Sequence, residues 1–108
     1  MDEDFLNKAV NVVDEHLSNP DFSVLEFSKC MNMHRVQLHR KLKALTGQSG
    51  GDMIRSVRLK RASELFKKQA GHVTQIAYDV GFSNLSYFAK AFKAEYKLSP
   101  SDYIKKNA

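Results

Sequence analysis

The sequence predicts an all-α fold of seven helices, arranged as two related three-helix halves around one long central helix. Three observations predict it. Apolar residues recur at three- and four-residue spacing, and no stretch alternates with the period of two that a half-buried strand needs. Serine-led helix starts stand at Ser23, Ser49 and Ser99, each with an acidic residue three positions on. The second half of the chain also repeats the first at an offset of 49 to 50 residues.

The elements follow in order. Leu6, Ala9, Val10, Val13 and Leu17 form a helical stripe that opens after the acidic run Asp2–Asp4 and closes at Ser18-Asn19-Pro20. Ser23-Val24-Leu25-Glu26 is a capping box, and a short helix runs from it to about Met31. A third helix spans about Arg35 to Thr46, with Leu38, Leu42 and Leu45 turned inward and Gly47 placed to end it. Ser49-Gly50-Gly51-Asp52 opens a long basic helix through Lys68, carrying Met53, Ile54, Val57, Ala62, Leu65 and Phe66. Gln69-Ala70-Gly71 breaks it. Helices over roughly Val73–Val80 and Leu85–Glu95 come next. Ser99-Pro100-Ser101-Asp102 then caps a last short helix, with Pro100 at the favoured first position. The organisation expected is residues 1–48, a linker helix over 49–69, and residues 70–108.

At 108 residues the chain suits one domain or two very small ones, with a modest core and little room to enclose a substrate. Its net charge of +5 is unevenly placed. Residues 1–28 hold seven acids against one lysine, whereas residues 33–68 hold ten Lys and Arg against Asp52 and Glu64. An acidic front and a basic middle suit a polyanionic partner. The plainer reading is a solvated basic face. The single cysteine, Cys30, cannot form an internal disulfide and reads as a small core residue. Met1 is followed by Asp2, Glu3 and Asp4 rather than a secretory leader, and no apolar run approaches membrane length, so a cytoplasmic location without membrane contact is expected.

The repeat carries most of the functional information. Phe27, Met31, Asn32 and Met33 precede Ile76, Val80, Gly81 and Phe82 by 49 residues. Leu38, Leu42, Ser49 and Asp52 precede Phe88, Phe92, Ser99 and Asp102 by 50. Asn32 and Gly81 fall at the turn of each half, and both residue types tolerate positive φ. Short helix, tight turn and longer helix is the helix-turn-helix plan, whose second helix enters the major groove of DNA.

With Leu38 and Leu42 inward, Val36, His39, Arg40 and Lys43 lie on another, more exposed face. With Phe88 and Phe92 inward, Leu85, Ser86, Ala89, Lys90 and Lys93 turn outward. Arg40 can read guanine or grip a phosphate, His39 can donate to a base edge, and Val36, Leu85 and Ala89 can touch thymine methyls. The linker helix, about 17 residues at ~1.5 Å per residue, spans roughly 25 Å and suits two helices about one turn of DNA apart. The rival reading is a basic helical domain that docks an acidic protein through the same face.

Other chemistry finds little support. Cys30, His34 and His39 do not make a zinc ligand set. There is no glycine-rich phosphate loop and no nucleophile with an evident base, so neither catalysis, metal nor cofactor is expected. Arg55, Arg58, Lys60 and Arg61 read as a solvated face of the linker helix with buried stems. The spacing of Phe82, Tyr87, Phe88 and Phe92 makes them core rather than stacking platforms.

The run from Arg35 to Gly47 resembles the first recognition helix of the AraC/XylS family of transcription regulators. Ile54 to Ala62 resembles its linker helix. Ile76 to Phe82, together with Tyr87-Phe88, Ala91-Phe92-Lys93 and Ser99 to Tyr103, resembles its signature region. The likeness runs from about Phe5 to Tyr103, with wording most similar to output domains of hybrid two-component sensors. It implies two homeodomain-like three-helical units that bind double-stranded DNA at two adjacent major-groove segments. It also implies transcription activation through RNA polymerase, with any dimerisation lying outside this chain. By motif position it puts base contacts on Val36, His39, Arg40, Leu85, Ser86, Ala89 and Lys90. It puts Arg35, Lys43 and Lys93 near phosphate. The chain departs from that family pattern at four places: His34 and His72 stand at helix starts, Gly50-Gly51 opens the linker helix, and Lys97 replaces a helix-ending glycine. A lysine at positive φ is strained.

Overall fold

In a computed structural model, which describes residues 1–108, α1 runs Asp2–His16, α2 Val24–Cys30, α3 Arg35–Thr46 and α4 Gly50–Lys67. Then come α5 over Val73–Asp79, α6 over Leu85–Tyr96 and α7 over Pro100–Lys106. No residue lies in a strand, and no helix is long and apolar enough to cross a membrane.

All three serine N-caps form, but the reciprocal bond from the acidic residue that completes a capping box forms only at Ser49 and not at Ser23. Ser23 Oγ accepts from the Glu26 N–H at 3.4 Å, and Ser99 Oγ from the Asp102 N–H at 3.2 Å. At the start of α4 the bond runs both ways: Ser49 Oγ accepts from the Asp52 N–H at 3.1 Å, and Asp52 Oδ2 accepts from the Ser49 N–H at 3.3 Å. A serine N-cap contributes about 1 kcal/mol to its helix by satisfying an otherwise orphaned donor.

The chain divides into two compact units, Met1–Val57 and Arg58–Ala108, and α4 contributes residues to both. In the first unit Ala9 and Val13 of α1, Phe27 of α2, Leu38 and Leu42 of α3 and Ile54 of α4 share one buried cluster. His16 closes its edge, its ring stacked on Phe22 at 4.8 Å while Nδ1 lies 2.8 Å from the Val12 carbonyl. In the second unit the core is largely aromatic. Phe66 of α4 meets Phe92 of α6 at 5.4 Å between ring centres, and Phe92 meets Tyr103 of α7 edge-on at 5.2 Å. Such edge-to-face pairs add about 0.5–1.5 kcal/mol each beyond the area they bury.

The repeat survives in the backbone. Helices α2 and α5 have seven residues each, and α3 and α6 have twelve. Asn32 and Gly81 both take positive φ, 56° and 98°. The residue after each turns its N–H back five positions: Met33 to the Ser28 carbonyl and Phe82 to the Ala77 carbonyl, both at 3.0 Å. In each half this bond closes the end of the short helix at the positive-φ turn.

Four inward assignments do not hold. Leu45 is 36% exposed, because Leu38 and Leu42 alone fill the inner stripe of α3 and the last turn projects past it. Val10 is exposed while its neighbours Ala9 and Val13 take the inner face of α1. Cys30 is exposed, since Phe27 and Met31, four apart, occupy the buried side of α2. Tyr87 is half-exposed, its ring resting on Phe82 at 6.0 Å, whereas Phe82, Phe88 and Phe92 are buried.

Candidate nucleic-acid interface

The exposed face of α3 begins at His34, whose extended backbone opens the helix. No serine stands there, and the start is closed from the other direction: the His34 N–H donates to Gln37 Oε1 at 3.1 Å. This is the reverse half of a capping box, and it holds the first turn in place without an N-cap side chain. Arg35, Val36, His39, Arg40 and Lys43 are all exposed, with Val36 open over 59% of its surface. Neither resolved ion pair, Asp52 with Arg55 or the Met1 amino group with Asp4, involves a cation of this face. An open hollow of about 570 Å³ flanks the helix start, lined by Lys29, Asn32, Met33, His34 and Gln37.

In α6 the start is closed the other way. Asn84 Oδ1 accepts from the Tyr87 N–H at 2.9 Å. Leu85, Ser86, Ala89, Lys90 and Lys93 are exposed, Leu85 by 37%. Each recognition-type helix thus presents every one of its five sequence-predicted residues to solvent, and its cations are free to meet an external anion.

The linker helix is more occupied. Asp52 Oδ1 holds Arg55 at 2.8 Å. The Asp52 carboxyl lies below its ordinary pKa because the Ser49 N–H and hydroxyl bond to it first of all, with Arg55 adding to the effect. Burial pulls the Arg58 guanidinium below its usual value, while Lys60 and Arg61 remain exposed.

Three arrangements lie outside the contact residues read from the sequence. Gln37 and Asn84 are committed to helix starts, and Lys41 lies over the Phe5 ring at 4.4 Å, drawn back onto its own unit. The pattern His34-x-x-Gln37 was a legible signal for the first, since glutamine three residues after a helix start is the second half of a capping box.

Two short-helix, positive-φ turn, long-helix pairs with unpaired cationic faces define a helix-turn-helix domain. The helix-turn-helix domain family matches residues 27–106, and the chain belongs to that family in its AraC-type form. In this family the matched segment is a helix-turn-helix domain of transcriptional regulators. Over 103 residues, 95% of its length, the chain is 37% identical to histidine kinase P4 of Formosa agariphila, of which it spans 8%. Over 74 residues, 68% of its length, it is 39% identical to the HTH-type transcriptional regulator MtrA of Neisseria gonorrhoeae, of which it spans 25%. The DNA-binding domain of AdpA, a global transcriptional factor solved in complex with a target DNA, shares the fold. That match has a TM-score of 0.84, covers 94% of this chain and 90% of that one, and is 24% identical.

Proposed function

We propose that the chain is the sequence-specific, double-stranded DNA-binding output domain of a transcription regulator. The observation that carries this reading is the pair of twelve-residue helices, each opened by a positive-φ turn and each presenting five exposed residues, with cations that no acid neutralises. Helices α3 and α6 each enter a major-groove segment. Val36, His39, Arg40, Leu85, Ser86, Ala89 and Lys90 meet base edges, and Arg35, Lys43 and Lys93 meet phosphate. The parent protein is an activator that works through RNA polymerase in the cytoplasm, within a two-component signalling protein. The likeness to a segment of a histidine kinase supports that context, since a domain of this length then reads a signal received elsewhere in a long chain.

Selection from random-sequence duplexes, followed by salt titration, tests the reading. The expected result is enrichment of a defined site, with affinity falling steeply as salt rises, by a log–log slope of about 0.9 for each phosphate the protein neutralises. Enrichment of no sequence overturns it. Binding to an acidic protein with no preference among duplexes assigns the same face to protein docking instead.

A further inference from the structure

We propose that α6 reads its stretch of duplex through the 5-methyl groups of thymine, using Leu85 and Ala89; this rests on the reading that the chain binds duplex DNA. The internal repeat makes the contrast with α3 direct. Fifty residues after exposed Arg35 and His39, α6 exposes Leu85 and Ala89. The two stand one helical turn apart, so they share a face, and Lys93 continues it another turn on. An apolar strip left open at the start of a helix, with lysines at 90 and 93 beside it, suits a surface that is anionic at its rim and carries methyl groups on its floor. The thymine side of the major groove has both features.

The structure also ties down the side chains that would read an A·T pair in the other way. An amide side chain recognises adenine by accepting from N6 with its oxygen while donating to N7. The amide oxygen of Asn84 is committed to the Tyr87 N–H at 2.9 Å, and that of Gln37 to the His34 N–H at 3.1 Å. Each amide is therefore held against its own helix start, turned away from the bidentate geometry that adenine needs. The one acid of α6, Glu95, stands in its last turn, away from the end that meets base edges. What remains at the start of α6 is one small hydroxyl, Ser86, and the apolar pair. Preference for thymine beneath the start of α6 thus falls on its methyl group, with Lys90 left to meet a guanine edge further along the helix, while Arg40 gives α3 a guanine reader.

The test uses the 108-residue chain and the duplex that selection yields, with each thymidine replaced in turn by deoxyuridine, which removes only the methyl. The expected result is a loss of roughly threefold to tenfold in affinity at one or two thymines. Those thymines lie in the segment that Lys93→Ala leaves less protected from hydroxyl radicals. Leu85→Ala abolishes the uracil response at the thymine beneath Leu85, Ala89→Gly removes any second response, and Val36→Ala leaves both intact. Leu85 is already partly exposed, so its truncation leaves the fold standing, which the helical circular dichroism of the variant checks. Uracil indifference at every position of a duplex that binds specifically overturns the inference while leaving DNA binding in place. So does a response that survives Leu85→Ala and Ala89→Gly together. Enrichment of no duplex at all overturns both.

Discussion

Gly47 and Lys97 occupy the same left-handed corner, one at the end of each long helix of the repeat. Their φ angles are 75° and 65°, and each donates its N–H to the carbonyl four residues back, Lys43 at 2.9 Å and Lys93 at 2.8 Å. Glycine takes this conformation freely, whereas a lysine carries the Cβ penalty of the left-handed region. Lys97 offsets part of that penalty with an exposed bond from Nζ to the Ala94 carbonyl at 3.1 Å. Lys97→Gly is therefore expected to stabilise the domain by about 0.5–1 kcal/mol. The mirror change Gly47→Lys costs about 1 kcal/mol, although no atom stands within 4 Å of the added Cβ. Urea midpoints of the two variants check this, and a fall in stability for Lys97→Gly contradicts it.

Consecutive glycines at the start of α4 separate backbone entropy from packing. A Cβ on Gly51 meets nothing closer than Val24 Cγ2 at 3.9 Å, so Gly51→Ala is expected to stabilise by about 0.5–1 kcal/mol through chain entropy alone. A Cβ on Gly50 meets Val24 Cγ1 at 3.3 Å, and Gly50→Ala gains less or loses. Equal thermal shifts for the two variants contradict the packing argument.

Asp52 links stability to acid. Its folded pKa lies below the unfolded value near ~3.9, because the Ser49 N–H, the Ser49 hydroxyl and Arg55 favour the carboxylate. The stability it contributes is thus fully present above that unfolded value and is lost as pH falls through the folded pKa. Asp52→Asn is expected to lower stability at neutral pH. It should also flatten the acid limb of a stability–pH profile below about pH 4. A wild-type and an Asp52→Asn profile that stay parallel down to the acid transition refute this.

Arg40 and Lys43 differ in what they are expected to do on DNA. Arg40→Ala is expected to cost about 1–3 kcal/mol on the selected site and relax preference at one base pair. Lys43→Ala is expected to weaken selected and random duplexes alike and reduce the salt slope by about 1. Competition titrations at several salt concentrations separate the two outcomes. Equal effects of both changes on both duplexes contradict the assignment of roles.

In the second unit, Phe92→Ala is expected to cost about 3–5 kcal/mol. The ring is fully buried and packs on Phe66, Phe88, Tyr96 and Tyr103. Calorimetry checks it. A loss below about 1 kcal/mol means that the ring cluster collapses around the gap.

Helix order and the outward faces of α3 and α6 were fixed by local rules. Spacing of 3.6 residues per turn orients a stripe, serine hydroxyls start helices, and Asn32 and Gly81 tolerate the φ their turns need. Val36, Arg40, Lys43, Ser86, Lys90 and Lys93 are exposed for that reason, with His39 and Ala89 at the flank, because the direction opposite a Leu38–Leu42 or Phe88–Phe92 stripe follows from periodicity alone; Arg35 and Leu85, three residues before Leu38 and Phe88, fall on the stripe side, and their exposure was decided by the fold. The width of each buried stripe does not follow, because it depends on which neighbouring helix arrives. Val10, Cys30, Leu45 and Tyr87 lie at stripe edges and were left in solvent by packing of Phe27, Leu42 and Phe88 elsewhere. Nor does spacing say where a polar side chain bonds. Gln37 and Asn84 bond only three residues away, at their own helix starts, whereas Lys41 lies over the Phe5 ring, which only the fold brings near it. Periodicity decides direction because it is local; depth of burial and choice of partner are decided by the fold because they depend on atoms far apart along the chain.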